Sequence, residues 1–218
     1  MAPFAQTPHV SEFSPHIWRE ISDTPCVGYG RGMAEVESPR IAPGSRRQIG
    51  PVNSAIAWVI GRATGGRPPN IFTTLARHRG LFRRWLFFAG GLMPGGKLPR
   101  RDGELVILRV AHNTGCEYEW SHHERIGQRA GLSAEEVERV RFGPDAPGWI
   151  PRQQLLLRAC DEMHADGEIG DDLWSGLAAE IDDRLLIELC LLIGHYEMLA
   201  MTLNTLRVQP DPPSKRIG

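Results

Sequence analysis

Apolar positions along the chain recur at helical spacing almost throughout, from Pro51 onward. Val52 to Arg62 reads as a helix closed by Thr64-Gly65-Gly66, and Pro68-Pro69-Asn70 opens the next, with Asn70 as its cap. Leu81 to Ala89 continues as an apolar helix, stopped by Gly90-Gly91 and Pro94-Gly95-Gly96. Arg101 to Asn113 carries Leu105, Val106, Leu108 and Val110, so a mostly buried helix is expected there. Thr114-Gly115 breaks it, and Glu117 to Ala130 follows, ended by Gly131. Ser133 and Glu136 form a capping box for a short helix reaching about Arg141. A Pro/Gly-containing linker, 142–149, leads to Pro151, which opens a long helix to about His164. Asp171 to Ala179 and Asp183 to Leu206 complete the series, the last strongly apolar. No segment alternates like a strand of a hairpin. The prediction is an all-α fold of about eight or nine helices.

Residues 1–50 are rich in Pro, Gly and Ser and read as an irregular arm, with a short helix near Pro15 to Ile21. Residues 51–208 form the helical domain, and 209–218, with Pro210, Pro212 and Pro213, a flexible tail. At 218 residues and 41% apolar composition, the chain can bury a core without disulfides or metal. Its apolar stretches, Leu86–Met93 included, are too short to predict a bilayer span, and no secretory signal pattern opens the chain. The four cysteines, Cys26, Cys116, Cys160 and Cys190, are widely spaced; free thiols in a cytoplasmic setting are the default expectation. Charge is unevenly spread: residues 1–101 carry 14 Lys/Arg against 5 Asp/Glu, and residues 102–218 carry 11 against 21. The arginines interleave with core residues (Arg83-Arg84-Trp85-Leu86), which favours packing of one half on the other, or on a second subunit, over a nucleic-acid face.

The chemistry-bearing stretch runs from Glu104 to His123. Cys116 follows a Gly break at a helix start, where unpaired N–H groups and the helix dipole favour a thiolate. Positions 116, 119 and 123 lie at roughly 0°, 300° and 340° around a helix, on one face. An antiparallel neighbour would bring Glu104 alongside. Cys116, His123, Glu104 and Glu119 are therefore the candidate catalytic residues, for thiol chemistry or proton transfer. The plainer alternative is a buried Cys used for packing beside a surface Glu–His pair. His122 points about 100° away from His123, toward a structural role. His112 with Cys116 has no recognised zinc spacing, so no metal and no cofactor are expected. Tyr118 and Trp120 read as core or interface residues, Cys160 and Cys190 as packing, and His195 and Tyr196 as core residues that can line a pocket.

Pro69-Asn-Ile-Phe-Thr-Thr-Leu-Ala-Arg-His78, Leu98-Pro-Arg-Arg-Asp-Gly-Glu104, Asn113-Thr-Gly-Cys-Glu-Tyr-Glu-Trp-Ser-His-His-Glu124 and Leu191-Leu-Ile-Gly-His-Tyr-Glu-Met198 carry a resemblance. Over about 40–208 the chain resembles the carboxymuconolactone decarboxylase family, which includes the alkylhydroperoxidase D proteins. The resemblance implies a helical bundle that assembles into homotrimers or homohexamers. The family's peroxidase branch uses Glu-x11-Cys-x2-Cys-x3-His; Glu104, Cys116 and His123 match it, while Glu119 stands at the second cysteine. That departure removes the CxxC disulfide and leaves a one-cysteine cycle with an external thiol reductant. The decarboxylase branch has a Glu and a His at positions 119 and 123, but an Arg where this chain has Cys116. The leading expectation is a peroxiredoxin-like oxidoreductase that reduces a peroxide at Cys116, with His123 and Glu104 as proton relay. The alternatives are a cofactor-free decarboxylase or isomerase of a small lactone or acidic ring compound using His123 and Glu119, and a non-catalytic oligomerisation scaffold.

Overall fold

The structure is a computed structural model that describes residues 38–64 and 66–212. The arm before Ser38, with the helix expected near Pro15 to Ile21 and Cys26, lies outside the described residues. Among these residues nine helices follow one another: α1 (Arg46–Thr64), α2 (Asn70–Leu75), α3 (Arg79–Leu92), α4 (Arg100–Asn113), α5 (Glu117–Arg129), α6 (Ala134–Val140), α7 (Pro151–Ala165), α8 (Asp171–Glu180) and α9 (Asp183–Leu206). From Ser38 on they belong to one compact unit. Boundaries agree with the apolar pattern to within a few residues at most helices. The exception is α1, which begins at Arg46 and breaks at Gly50 (φ 81°, ψ 164°) before Pro51 restarts it. A residue before proline is pushed out of the helical region, so the sequence signal at Pro51 marks the second part only.

Helix α4 is the hub, packed against α5, α7 and α9. Asp102 through Leu108 are all buried, as are Val110 and Ala111. Two apolar clusters flank it. One joins Val106, Ile107 and Val110 to Leu156, Leu189, Leu192, Ile193 and Leu203. The other joins Leu105 and Leu108 to Trp120, Leu132, Val137, Val140 and Leu157. Helix α9 is long and apolar enough, by length and composition, to cross a membrane. Here its apolar residues Leu186, Leu189, Leu192, Ile193, Leu199 and Leu203 are spent on the core. The α6 capping box forms as read from the sequence: Ser133 Oγ accepts from Glu136 N–H at 3.1 Å, and the Glu136 carboxylate accepts from Ser133 N–H at 2.9 Å.

Helices α4 and α5 form a tight antiparallel hairpin. Gly115 turns it with φ 59°, a value that costs glycine nothing. Twelve residues further on, Gly127 lets α5 close on α4. A Cβ there would meet Leu132 at 2.9 Å and Leu108 at 3.4 Å.

Asn70 does not cap α2; Pro69 holds the capping position and offers no side-chain bond. The cap comes from the other end of the chain. Asp211 accepts from Asn70 N–H at 2.7 Å, from the Tyr118 hydroxyl at 3.0 Å, and pairs with His122 Nε2 at 2.7 Å. Asn70 Nδ2 in turn donates to the Gln209 carbonyl at 3.0 Å. The segment expected to be a flexible tail is thus anchored at Asp211. Burial alone would raise the Asp211 pKa, but His122, Asn70 N–H and the Tyr118 hydroxyl together hold it below the usual value. A depressed carboxylate stabilises the fold above its unfolded pKa and loses that contribution as pH falls through the folded value. Asp211→Ala is expected to cost about 1–3 kcal/mol at pH 7 and almost nothing well below its folded pKa, as read by urea unfolding at both.

Candidate functional site

The hairpin brings Glu104 and His123 together. Glu104 sits in the middle of α4, 0% exposed, and its Oε2 lies 2.7 Å from His123 Nδ1. One turn earlier on α4, Arg100 reaches the other oxygen of Glu104 at 2.8 Å. The carboxylate is thereby held between a guanidinium and an imidazole. With the Nδ1 proton donated to Glu104, His123 Nε2 is left as the basic nitrogen. No protein group hydrogen-bonds Nε2 among the described residues. Tyr196 from α9 stands edge-on to the ring, 5.2 Å between centroids. Its phenol is held protonated by burial and by the nearby Glu104 and Glu119 carboxyls.

Glu119 lies one turn before His123 and is 2% exposed. Neither carboxyl oxygen has a hydrogen-bond partner of good geometry. Burial lifts its pKa to about 8, opposed by the Cys116 thiol beside it and reinforced by the charge of Glu197. At neutral pH it is therefore predominantly a carboxylic acid. It can donate a proton, which an ordinary glutamate at pH 7 cannot.

Cys116 occupies the capping position of α5, but is 1% exposed. Its thiol is pushed up to about 12, first by burial and then by Glu119. The N–H groups of Tyr118 and Glu119 do favour the thiolate, as the helix-start argument expected. Burial and the neighbouring carboxyl outweigh them. No hydrogen bond joins Cys116 to His123 or Glu104 among the described residues.

Beside the hairpin opens a cavity of about 720 Å³. Glu119, His123, Tyr196 and Arg100 reach its wall, with His122, whereas Cys116 does not. The remaining wall is mostly apolar: Ile56 and Ile60 from α1, Phe72 from α2, Trp85, Leu86 and Met93 from the α3 region, and Leu199 from α9. Of the four candidate residues, the structure joins Glu104 to His123 directly and places Glu119 with His123 on one cavity; Cys116 sits behind Glu119. His122, read as structural, bonds Asp211 and also borders the cavity. Cys160 is fully buried, its Sγ 3.2 Å from the Leu156 carbonyl, a packing role. Arg100 was missed by the sequence reading, although its i, i+4 spacing to Glu104 is a readable ion-pair signal. Trp85 was missed because nothing local marks an aromatic as cavity-lining. No group of three or more metal-ligating side chains occurs among the described residues.

Residues 79–162 match the carboxymuconolactone decarboxylase family. No curated protein is significantly similar to the chain. Several solved structures share the fold. An uncharacterized peroxidase-related protein from Silicibacter sp. TM1040 superposes with a TM-score of 0.71 at 17% identity, covering 84% of this chain and 97% of that one. An alkylhydroperoxidase AhpD core protein from Ralstonia eutropha JMP134, also described as peroxidase-related, gives 0.69 at 18% identity, covering 80% and 94%. The debrominase Bmp8, solved alone and as a Cys-to-Ala variant with 2,3,4-tribromopyrrole, gives 0.67 at 14% identity, covering 78% and 91%.

Proposed function

We propose that this chain, which carries a carboxymuconolactone decarboxylase family domain at residues 79–162, is a proton-transfer enzyme, a decarboxylase or isomerase of a small acidic ring compound. The observation that carries this reading is the pairing on one cavity of a Glu104-oriented imidazole and an unpartnered Glu119 with pKa about 8. His123 Nε2 takes a proton from carbon next to a substrate carbonyl. Glu119 donates its proton to the carbonyl oxygen, giving an enol. Return of the proton from His123 to a different carbon, with the enol O–H proton going back to Glu119, isomerises the substrate. In the decarboxylating version the bond to the carboxylate breaks, its electron pair passes through carbon to the carbonyl oxygen as Glu119 protonates it, and carbon dioxide leaves. The enol carbon then takes a solvent-derived proton through His123 while the enol O–H proton returns to Glu119. Arg100 supplies the one guanidinium on the cavity among the described residues, for a substrate carboxylate, while keeping its ion pair with Glu104.

Peroxide reduction at Cys116, the first expectation from the sequence, has less support. Burial pushes the Cys116 thiol well above its usual range, so little of the reactive thiolate is present at pH 7. Homo-oligomeric assembly, as trimer or hexamer, is part of the same proposal. The exposed Ile187, Leu191, Met198 and Met201 on α9 support it.

The test is turnover of a panel of lactone acids and cyclic keto acids, followed against pH. In the wild type kcat/KM is expected to fall above about pH 8, as Glu119 loses its proton. Glu119→Gln is expected to lose most activity together with that alkaline limb, and Cys116→Ser to keep activity within about two-fold. Loss of all activity in Cys116→Ser, with wild-type reduction of tert-butyl hydroperoxide by dithiothreitol, would overturn the reading in favour of thiol chemistry.

A further inference from the structure

Two residues that line the cavity each carry a buried polar atom that the proton-transfer reading does not use. Trp85 Nε1 and His195 Nδ1 are buried and have no hydrogen-bond partner. Both residues line the cavity, Trp85 from α3 and His195 from α9, with their rings stacked 6.1 Å apart at 27°. A buried N–H or ring nitrogen left unpaired loses its water without replacement, so two of them on stacked rings ask for a partner from outside the protein. An indole can only donate. Burial lowers the His195 pKa to about 4, so its ring is neutral at pH 7, with one donor and one acceptor nitrogen. Neither ring carries charge, and Phe72, Leu86 and Leu199 on the same wall are apolar. An ionised group brought here would lose its water and find no counter-charge. A hydroxyl is the small uncharged group whose chemistry suits both: its oxygen can accept from an indole N–H and its hydrogen can be donated to an imidazole nitrogen.

The space between this pair and His123 is bridged by aromatic rings. Phe72 lies 6.1 Å from Trp85, Trp85 6.1 Å from His195, His195 5.3 Å from Tyr196, and Tyr196 5.2 Å from His123, centroid to centroid. Such a run of rings favours a planar, unsaturated occupant, which gains stacking and edge contacts along its length.

We propose that Trp85 and His195 form a specificity subsite that binds an uncharged hydroxyl at one end of a planar ring substrate, whose other end meets His123 and Glu119. The proposal rests on the cavity being the reaction site. It assigns the substrate class: a hydroxylated, planar, mainly apolar ring compound.

Binding of 2-naphthol, naphthalene and 2-naphthoate to the full chain, measured by equilibrium dialysis, tests it without turnover. The wild type is expected to bind 2-naphthol at least 10-fold more tightly than naphthalene. Trp85→Phe keeps a ring and removes the donor; it is expected to bring that ratio within two-fold and to leave naphthalene affinity unchanged. His195→Leu, a second variant should the first fold poorly by circular dichroism, is expected to shrink the ratio likewise. A ratio that survives in both variants overturns the subsite and leaves the two nitrogens to buried water. So does failure of 2-naphthol to bind, or tighter binding of 2-naphthoate to the wild type but not to Trp85→Phe. Failure of the proton-transfer reading would show separately, as full turnover in His123→Ala.

Discussion

His123→Ala is expected to lower kcat/KM by about 10²–10⁴-fold on whichever ring acid the chain turns over, with the loss mainly in kcat. In the proposed reaction the His123 ring nitrogen left free by Glu104 is the base; of the other imidazoles on the cavity, His122 is tied to Asp211 and His195 stands beyond Tyr196. Tyr196 is held protonated, and Glu119 is assigned as the acid in the same proposal. Glu104→Gln checks the geometry behind this. It keeps the shape of the fully buried side chain and removes the charge that fixes the Nδ1 proton and pairs with Arg100. A smaller loss is expected, again in kcat, with an altered pH profile and nearly unchanged KM. Steady-state kinetics of the two variants between pH 5 and 9 decide the matter. Equal activity in His123→Ala and wild type removes the imidazole from the reaction.

The largest effect on stability is expected at Arg109. Its guanidinium grips Asp161 with two bonds, Nε to Oδ1 at 2.6 Å and Nη2 to Oδ2 at 2.9 Å, and gives a third, at 2.7 Å, to the Val140 carbonyl at the end of α6. Asn113 adds a bond to Asp161 at 2.9 Å. One side chain therefore ties α4 to both α6 and α7. Arg109 is 12% exposed and Asp161 31%, so the carboxylate regains some water when the partner is removed. Arg109→Ala is expected to cost about 3 kcal/mol. For a chain of this size that is roughly 6–12 °C in melting temperature. A urea midpoint indistinguishable from wild type would show that the pair contributes no net stability.

Much of the fold is legible in the sequence because its signals are local. The Ser133–Glu136 box, Pro151 and the apolar repeat of α4 each announce themselves within a few residues. The Glu104–His123 contact is legible too, since a three-residue break forces α4 and α5 to lie side by side. Signals spread over long separations are not. Asp211 caps α2 from 141 residues away, so Asn70 looked like the cap when it is the group being capped. The state of Cys116 was equally hidden. Its place at a helix start is local, but the burial that outweighs the dipole is a property of packing from α9 and the core around it. Trp85 and His195 meet from helices more than a hundred residues apart, and no spacing rule links them.

The four groups assigned to proton transfer, Arg100, Glu104, Glu119 and His123, all belong to one short hairpin, whereas the cavity's apolar boundary comes mostly from α1, α2, α3 and α9, with Ile126 added by α5. Proposed reactivity and fit are thus encoded in largely separate stretches of the chain. Redesign of the boundary residues would retune what is admitted while leaving the reacting apparatus intact, and a transplanted α4–α5 hairpin would carry its acid and base with it.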